Sequence, residues 1–494
     1  MDFKIPRTLS TQHPDNVTIP FFANNPVLRG DDEIKEAFYA FSNLGVQEIM
    51  WDAEGKESDD FVIRKLMMEY SDYFKKNRIG KDVFINIRIP NPDYEKTEAK
   101  IVLEALESIP RSYDTARAFY GEGQYPPIFE VVVPMADREI IDKIYYYYKN
   151  LVIGKENFKF IDKKSLTVGQ WIGEFQPKAI NIIPLFEDIP SILSADKTLL
   201  GYLKNKDITH QRVFLARSDP AMNYSSVAVI LALHIALDRL YKLQKKIGIP
   251  IYPILGSGSA PFRGHLTPKN VDYVLSKYPS VATFTIQSAF KYDFPVKDVQ
   301  KAIELINRTP LKPALEVEDP KQILKIINKV SKEYQQQIQI LAPLINELAK
   351  FVPPRRMRKL HTGLFGYSRE LKKGVTLPRV ISFCAVLYSI GLPPDLIGLN
   401  ALSPDDLKIV RSVYSRFEGS LRDILSLWNP RVLEIIPASL RPKIRTSVDK
   451  YEFKTNTNHL HISDEIIEHI KNRRFGTHLT DLITRAGSAR GFLG

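Results

Sequence analysis

Two acidic side chains follow consecutive predicted strands and could together bind a metal ion. Glu187 closes the apolar run IIPLFE, and Asp219 stands in ARSDPA after the next strand. Because parallel α/β structures bring the carboxyl ends of their strands to one edge, both side chains should converge there. Two carboxylates with positions left for water and substrate oxygens suit Mg²⁺ or Mn²⁺. The alternative is that each carboxylate only caps the helix that follows it.

Two arginines at other strand ends could bind an anionic substrate beside this metal. Arg88 ends the third predicted strand, and Arg263 lies in the run GSGSAPFRGH after the seventh. Guanidinium groups pair with carboxylate and phosphate through two parallel hydrogen bonds. Ser257 and Gly258 lie near the start of the same run, where small residues allow backbone N–H groups to approach an anion. The alternative for this run is a tight strand-to-helix connection.

A histidine near the start of the chain could transfer a proton. His13 stands in STQHPDN, just before the first predicted strand. Its imidazole changes charge near neutral pH, as a general acid or base must. The alternative is an ordinary loop histidine.

Short β-branched runs alternate with amphipathic helical periods over the part of the chain that must position these groups. This alternation predicts an α/β fold, a parallel (β/α)8 barrel of the TIM type, although an open doubly wound sheet would give a similar pattern. After Pro310 helical periods dominate, beginning with residues 320–351. We therefore expect a barrel with catalytic strand ends over residues 1–310, and over 311–494 a large C-terminal helical region that completes the active site and makes subunit contacts. The predicted strands lie near residues 17–22, 47–52, 83–89, 128–133, 180–186, 213–216, 249–255 and 281–287.

Composition indicates a folded globular protein and disfavours several classes. Hydrophobic residues make up 44% and charged residues 26%, and 69 Lys and Arg against 57 Asp and Glu give a net charge of +12. The charge is dispersed, and the densest basic run, residues 355–359, has no interleaved aromatic residues, so we expect no nucleic-acid partner. One cysteine, Cys384, excludes a disulfide within the chain and fits a cytoplasmic location. Residues 380–392 are apolar but end at Pro393, which predicts a buried helix and no membrane span.

Seven motifs taken in order resemble one family. They are STQHPDN, WDAEGK, IPLFED, ARSDPAMNY, ILGSGSAPFRGH, TIQSAFKYDFP and RGFLG. Together they resemble archaeal-type phosphoenolpyruvate carboxylase over essentially the whole chain. The resemblance implies a carboxy-lyase, a homotetramer that joins bicarbonate to phosphoenolpyruvate through carboxyphosphate and an enolate, giving oxaloacetate and phosphate. It assigns the metal, Mg²⁺ or Mn²⁺, to Glu187 and Asp219, and catalysis to His13, Arg88 and Arg263.

The chain departs from the longer members of this family at three positions. It has Met222 where they have a lysine, and Leu255 and Ser257 where they have a histidine and an arginine of the Gly-rich loop. Other cations must replace these groups, and the basic run at 355–359 is one competing source. Those that we assign to substrate binding are Lys291, Arg369 and Arg379, with Arg379 preferred over Arg369.

The end of the sequence, RAGSARGFLG at residues 485–494, is unusual for a surface tail. Phe492 and Leu493 are apolar, and the glycines allow tight turns. We predict that this segment folds over the barrel mouth as a lid, with Arg485, Arg490 and Gly494 at the site. The alternative is a segment packed at a subunit interface.

Two other functions remain open at this point. One is another metal-dependent barrel enzyme acting on a pyruvate enolate, a lyase or a kinase, although the sequence has no GxxxxGK[ST] loop for a nucleotide. The other, from a different class, is a basic nucleic-acid-binding protein, whose binding would weaken steeply with salt.

Overall fold

The barrel is closed and all parallel. The computed structural model describes residues 4–53, 59–121, 125–160, 166–357, 370–371 and 375–494. Each strand pairs with the next along the chain, and β1 also pairs with β8, which closes the ring and rules out the open sheet. The barrel strands are β1 (Thr8–Ser10), β2 (Glu48–Asp52), β3 (Phe84–Arg88), β4 (Glu130–Val133), β5 (Asn181–Phe186), β6 (Gln211–Leu215), β7 (Ile251–Leu255) and β8 (Thr283–Ile286).

Helices surround the barrel and then continue into the C-terminal region. Those up to residue 308 lie between or after the strands, as the alternating pattern predicted. They are α1 (Asp31–Ser42), α2 (Val62–Glu69), α3 (Ser71–Lys76), α4 (Ile101–Tyr120), α5 (Arg138–Tyr147), α6 (Val168–Ile172), α7 (Ile189–Leu193), α8 (Ala195–Leu203), α9 (Ser218–Tyr224), α10 (Ser226–Ile247), α11 (Val271–Lys277), α12 (Ser288–Tyr292) and α13 (Val296–Arg308).

The C-terminal region is mainly helical, as predicted. It also contains a short hairpin that the sequence did not indicate, β9 (Glu370–Leu371) with β10 (Val375–Thr376). The division of the chain near residue 310 stays a prediction. The helices are α14 (Pro320–Leu348), α15 (Val380–Ser389), α16 (Pro404–Val413), α17 (Phe417–Leu425), α18 (Arg441–Val448), α19 (Thr457–Lys471) and α20 (Thr477–Arg490).

Helix α15 confirms the buried helix that the sequence predicted after Arg379. Eight of its ten residues, including Cys384, are buried. Among the described residues, no single helix is both long and apolar enough to cross a membrane. Val380–Ser389 passes that test only together with Pro394–Ala401, from which it is bent by 91°.

The first predicted strand is wrong, while the other seven overlap observed strands. Strand β1 is Thr8–Ser10, and the predicted segment at 17–22 is loop. Its N–H groups at Val17 and Thr18 donate to the Asp293 carboxylate (2.8 and 2.7 Å) instead of to a neighbouring strand. His13 therefore follows β1 and does not precede the first strand. This correction moves His13 to the carboxyl end of the barrel, where the other proposed groups lie.

A charged layer fills the amino end of the barrel interior. Arg212 on β6 is fully buried and donates to Glu48 on β2 (2.7 and 2.6 Å) and to Glu130 on β4 (2.7 Å). Thr283 on β8 accepts a further bond from Arg212 (3.2 Å). These residues come from alternate strands, the pattern by which barrel interiors fill in layers. Apolar residues make up the next part of the interior: Leu9, Met50, Val132, Ile183, Leu185, Phe214, Ala216 and Ile254.

Candidate active site

The two proposed metal carboxylates stand at the ends of neighbouring strands. Strands β5 and β6 pair through Phe186 and Leu215, and Glu187 and Asp219 follow these residues. The carboxylate of Glu187 accepts from the backbone N–H of Met135 (3.0 Å). Glu187 is largely buried, and Asp219 lies in the first turn of α9.

A neighbouring carboxylate performs the helix capping that was the alternative role. Asp188, not Glu187, caps α7 by accepting from the N–H of Ser191 (2.7 Å). Helix α9 has Arg217 at its N-cap and no side-chain cap, so Asp219 does not cap it either. Neither proposed ligand is therefore an N-cap residue, although Asp219 in the first turn of α9 still complements the helix dipole.

The donor set suits a hard divalent cation. Glu187 and Asp219 offer carboxylate oxygens, which Mg²⁺ and Mn²⁺ prefer. Within the described parts of the chain, no three His, Cys, Asp or Glu side chains converge into a closed metal cage. A cation held by Glu187 and Asp219 would keep coordination positions for water and substrate oxygens, as Mg²⁺ sites in enzymes commonly do.

Arg88 is held by a carboxylate from the neighbouring strand. Its Nε and Nη2 donate to the two oxygens of Asp52, both at 2.9 Å, and Asp52 is the residue paired with Arg88 across β2 and β3. This two-point contact fixes the plane of the guanidinium. Arg88 and Asn86 are two residues apart on β3, so their side chains lie on the same face of the strand. Asn86 donates to Glu48 inside the barrel (2.6 Å). Arg88 is thus directed to the barrel mouth.

His13 lies in the loop between β1 and α1. Its Nδ1 is 2.9 Å from the Thr11 hydroxyl, which fixes the ring orientation. The carbonyl of His13 accepts from the N–H of Ser288 at the start of α12 (3.3 Å). The loop is therefore anchored to the end of β8.

Arg263 connects four parts of the chain. It is fully buried, and its guanidinium donates to Asp15 (2.9 Å), Gln287 (2.6 Å), Ser218 (3.2 Å) and the carbonyl oxygen of Gly494 (2.8 Å). Asp15 follows β1, Gln287 follows β8, Ser218 follows β6, and Gly494 is the last residue of the C-terminal segment. Burial raises the pKa of Asp15, and the charge of Arg263 opposes that shift.

Sequence reasoning missed Asp15 and Gln287. They stand in the motifs STQHPDN and TIQSAFKYDFP; Gln287 directly follows β8, and Asp15 lies in the loop after β1. The position of Gln287 at the end of the eighth predicted strand was a signal that could have identified it, whereas Asp15 precedes the segment predicted as the first strand and had no such signal.

Gly258 leaves room for the Arg263 side chain. A Cβ at Gly258 would lie 2.9 Å from Gln287 Oε1 and 3.0 Å from the guanidinium carbon of Arg263. Ser257 is buried, and its N–H donates to Thr285 Oγ1 (2.7 Å). The Gly-rich run thus shapes the surroundings of Arg263.

The C-terminal segment is docked, not loose. Phe492 and Leu493 are buried, and the N–H of Leu493 donates to the carbonyl of Asp15 (2.8 Å). Arg490 turns back onto the segment and donates to the carbonyls of Phe492 (3.1 Å) and Leu493 (2.5 Å). Burial lowers the pKa of Arg490 to about 9. The segment therefore contacts the loop that carries His13.

The other proposed cations are more scattered. Lys291 is buried and pairs with Glu36 (2.9 Å), which also pairs with Arg356 (2.6 Å). Burial opposes ionisation of Glu36, but Arg356 and Lys291 outweigh it and lower its pKa to about 2. Arg379 is exposed at the start of α15, and Arg485 is half-exposed, 3.7 Å from Glu465. Arg369 lies outside the described residues.

A closed (β/α)8 barrel with polar and charged side chains gathered at its strand ends places the chain among the α/β-barrel enzymes. The family model described as phosphoenolpyruvate carboxylase matches residues 5–494. The chain belongs to the phosphoenolpyruvate carboxylase family.

Similar proteins in this family come from several archaea. Phosphoenolpyruvate carboxylase of Methanospirillum hungatei JF-1 is 47% identical over 492 residues, covering 99% of this chain and 100% of that protein. The protein of that name from Pyrococcus furiosus is 50% identical over 433 residues, covering 87% of this chain and 90% of its own. The one from Halobacterium salinarum R1 is 42% identical over 494 residues, covering 99% of each chain.

Proposed function

We propose that this chain joins bicarbonate to phosphoenolpyruvate and releases oxaloacetate and phosphate. The observation that carries the proposal is the pair Glu187 and Asp219 at adjacent strand ends, in a member of this family. We further propose Mg²⁺, replaceable by Mn²⁺, as the cation that these carboxylates hold. When bound, the metal supplies positive charge that stabilises developing negative charge on substrate oxygens.

The chain's own residues then bind and orient the anions. Arg88, fixed by Asp52, directs guanidinium N–H groups to the mouth of the barrel and binds phosphoenolpyruvate. Arg263 was assigned to catalysis by the resemblance, but because it is fully buried and bonded to four protein groups, we now assign it, with Ser257 and Gly258 of its loop, to holding the loops around the substrate in place. Lys291 and Arg379 are also proposed to assist substrate binding, because their positive charges contribute to an electrostatic potential that attracts anions to the site.

His13 moves the proton. Attack of bicarbonate on the phosphate gives carboxyphosphate and the enolate of pyruvate; carbon dioxide is released in place and is captured by the enolate. His13, oriented by Thr11, accepts the proton of carboxyphosphate during this release.

The C-terminal segment serves as a cover over these steps. Its contact with the Asp15 carbonyl joins it to the His13 loop. Excluding water protects carboxyphosphate and the enolate from hydrolysis and protonation. A homotetramer in the cytoplasm, with no nucleic-acid or membrane partner, completes the proposal.

An assay of the purified chain tests the reaction. Phosphoenolpyruvate, bicarbonate and Mg²⁺ should give oxaloacetate, followed with malate dehydrogenase and NADH, and an equal amount of phosphate. Neither nucleotide nor biotin should be required. A strict requirement for ADP would assign the chain to the kinases instead.

Variants of the carboxylates test the metal site. Glu187→Gln and Asp219→Asn should each weaken Mn²⁺ binding, measured by electron paramagnetic resonance, by about 10-fold or more and abolish turnover. Asp188→Asn is the matched control, because its amide oxygen can still cap α7. Full Mn²⁺ affinity in either ligand variant would refute the assignment.

A further inference from the structure

A small cavity lies behind the barrel wall, between barrel helices and the C-terminal region. Arg217 at the end of β6, Ser226 of α10, Lys277 of α11, and Asp395 and Tyr414 of the C-terminal region contribute to its lining. Its volume is about 30 Å³. A cavity needs roughly 10–15 Å³ to hold one water, so this one holds a small ion or about two waters.

Arg217 has hydrogen-bonding capacity that the protein leaves unused. Its side chain is 2% exposed, and Nη2 donates to Ser226 Oγ (2.9 Å). The other terminal nitrogen, Nη1, is buried and has no hydrogen-bond partner among the described residues. An unsatisfied buried group on a charged side chain is costly, and a ligand in the cavity would remove that cost.

A second cation lines the same cavity. The Lys277 ammonium lies over the ring of Tyr414, 3.5 Å from its centroid. Burial lowers the pKa of Lys277 well below its usual value, and repulsion from Arg217 lowers it further. An anion between Arg217 and Lys277 would offset this repulsion.

One carboxylate also lines the cavity. Asp395 accepts from the Tyr388 hydroxyl (2.6 Å) through Oδ2, while its buried Oδ1 has no hydrogen-bond partner among the described residues, and burial raises its pKa. Burial lowers the pKa of His265, also in the lining, to about 4, so this ring is neutral near pH 7. Burial disfavours the charged forms of both Lys277 and Asp395, so the attraction for an anion comes mainly from Arg217, whose guanidinium stays protonated in proteins.

We propose that this cavity binds one small monovalent anion between Arg217 and Lys277. Its volume fits chloride or bicarbonate and excludes a dicarboxylate or a sugar phosphate. The cavity is separate from the proposed active site, because Arg217 faces α10 on the outer side of the barrel wall. The next residue, Ser218, accepts from Arg263 instead (3.2 Å). A bound anion would thus stabilise the chain segment that leads to Asp219.

Bromide locates the anion directly. Crystals of the full chain soaked in sodium bromide should show an anomalous difference peak between the Arg217 guanidinium and the Lys277 ammonium. Absence of a peak there, with bromide sites elsewhere on the protein, would overturn the proposal.

Thermal unfolding measures binding in solution. Replacing gluconate with chloride at constant ionic strength should raise the melting temperature by about 2 °C in a saturable way. Lys277→Met should abolish this rise, and Lys277→Arg should restore it. Lys245→Met is the matched control, since Lys245 also lies over a tyrosine ring, that of Tyr241 (4.4 Å), but away from the cavity. It should keep the full rise.

Bicarbonate separates this site from substrate binding. In place of chloride it should give a similar rise that Lys277→Met removes. A rise that only bicarbonate produces, and that survives in Lys277→Met, would mean binding at the active site and would refute the proposal. If Lys277→Met does not fold, the bromide map of the unaltered chain decides.

Discussion

Substituting alanine for Gly494 tests whether the docked C-terminal segment is needed for turnover. A Cβ at Gly494 would lie 2.9 Å from the Ala385 nitrogen and closer still to the Ile381 carbonyl oxygen, both backbone atoms of α15. Real Cβ atoms essentially never approach neighbours within 3.0 Å, so the segment must move. Backbone atoms of a buried helix cannot yield as the end of a flexible side chain can.

The size of the effect depends on whether the segment shifts or detaches. Detachment would expose Phe492 and Leu493, which are 4% and 1% exposed, and burial of each such side chain contributes about 1.5–3 kcal/mol. A shift on the order of 1 Å costs less, so we expect the segment to stay docked but displaced. Since the carbonyl of Gly494 accepts from Arg263 (2.8 Å), this displacement reaches the site. A misplacement of that size can reduce turnover about 100-fold.

Two measurements separate these effects. The rate of oxaloacetate formation should fall about 100-fold in Gly494→Ala, while the melting temperature changes little. Gly419→Ala is the matched control, because Gly419 lies inside α17 and a Cβ there meets nothing within 4 Å. It should keep normal turnover. Normal turnover in Gly494→Ala as well would show that the fit of this segment does not matter for catalysis.

Three further substitutions probe other parts of the fold. His13→Asn should keep some bicarbonate-dependent phosphate release while forming pyruvate, measured with lactate dehydrogenase; unchanged coupling to oxaloacetate would make His13 an ordinary loop residue. Burial raises the pKa of Asp293 to about 7 in the folded protein, against about 3.9 in the unfolded chain. The folded state therefore loses stability as the pH rises from about 3.9 to about 7, because only the unfolded chain ionises this group freely over that range. Asp293→Asn should therefore gain stability over the unaltered chain near pH 8 but not near pH 4 in urea unfolding; a difference independent of pH would contradict this. Arg212→Met should cost about 3–5 kcal/mol of unfolding free energy, because Glu48 and Glu130 lose their buried partner, with no change in kcat; a smaller loss would mean that water reaches this layer.

The barrel was predictable from sequence because most of its strands, at four to six residues, lie within apolar runs that contain β-branched residues. Strand β1 was not, since Thr8–Ser10 is only three residues long and gains its place by pairing with β2 and β8. The run VTIPFF has the better strand composition but is held by the Asp293 carboxylate. In both segments, tertiary contacts determined the backbone conformation and overrode the local strand preference of the sequence.

The site was predictable in its residue types more than in its contacts. Glu187 and Arg88 could be placed at strand ends, and Asp219 in the helical turn after a strand, because a recognisable strand precedes each of them; their roles stay predictions. The partners of Arg263 could not, since Asp15 and Gly494 are 248 and 231 residues away along the chain. No local pattern reports such pairings, and the hydrogen bonds of a fully buried guanidinium emerge only from the closed fold.

The charged layer at the amino end of the barrel has a consequence for the response of the protein to heat. Water solvates ions less favourably as temperature rises, so the cost of enclosing Arg212, Glu48 and Glu130 decreases on heating, while the gain from burying apolar surface levels off. An apolar layer in the same place would lack this compensation. The ring of strands should therefore lose cohesion more slowly with rising temperature than a barrel filled with hydrocarbon alone, and its stability curve should be extended on the hot side.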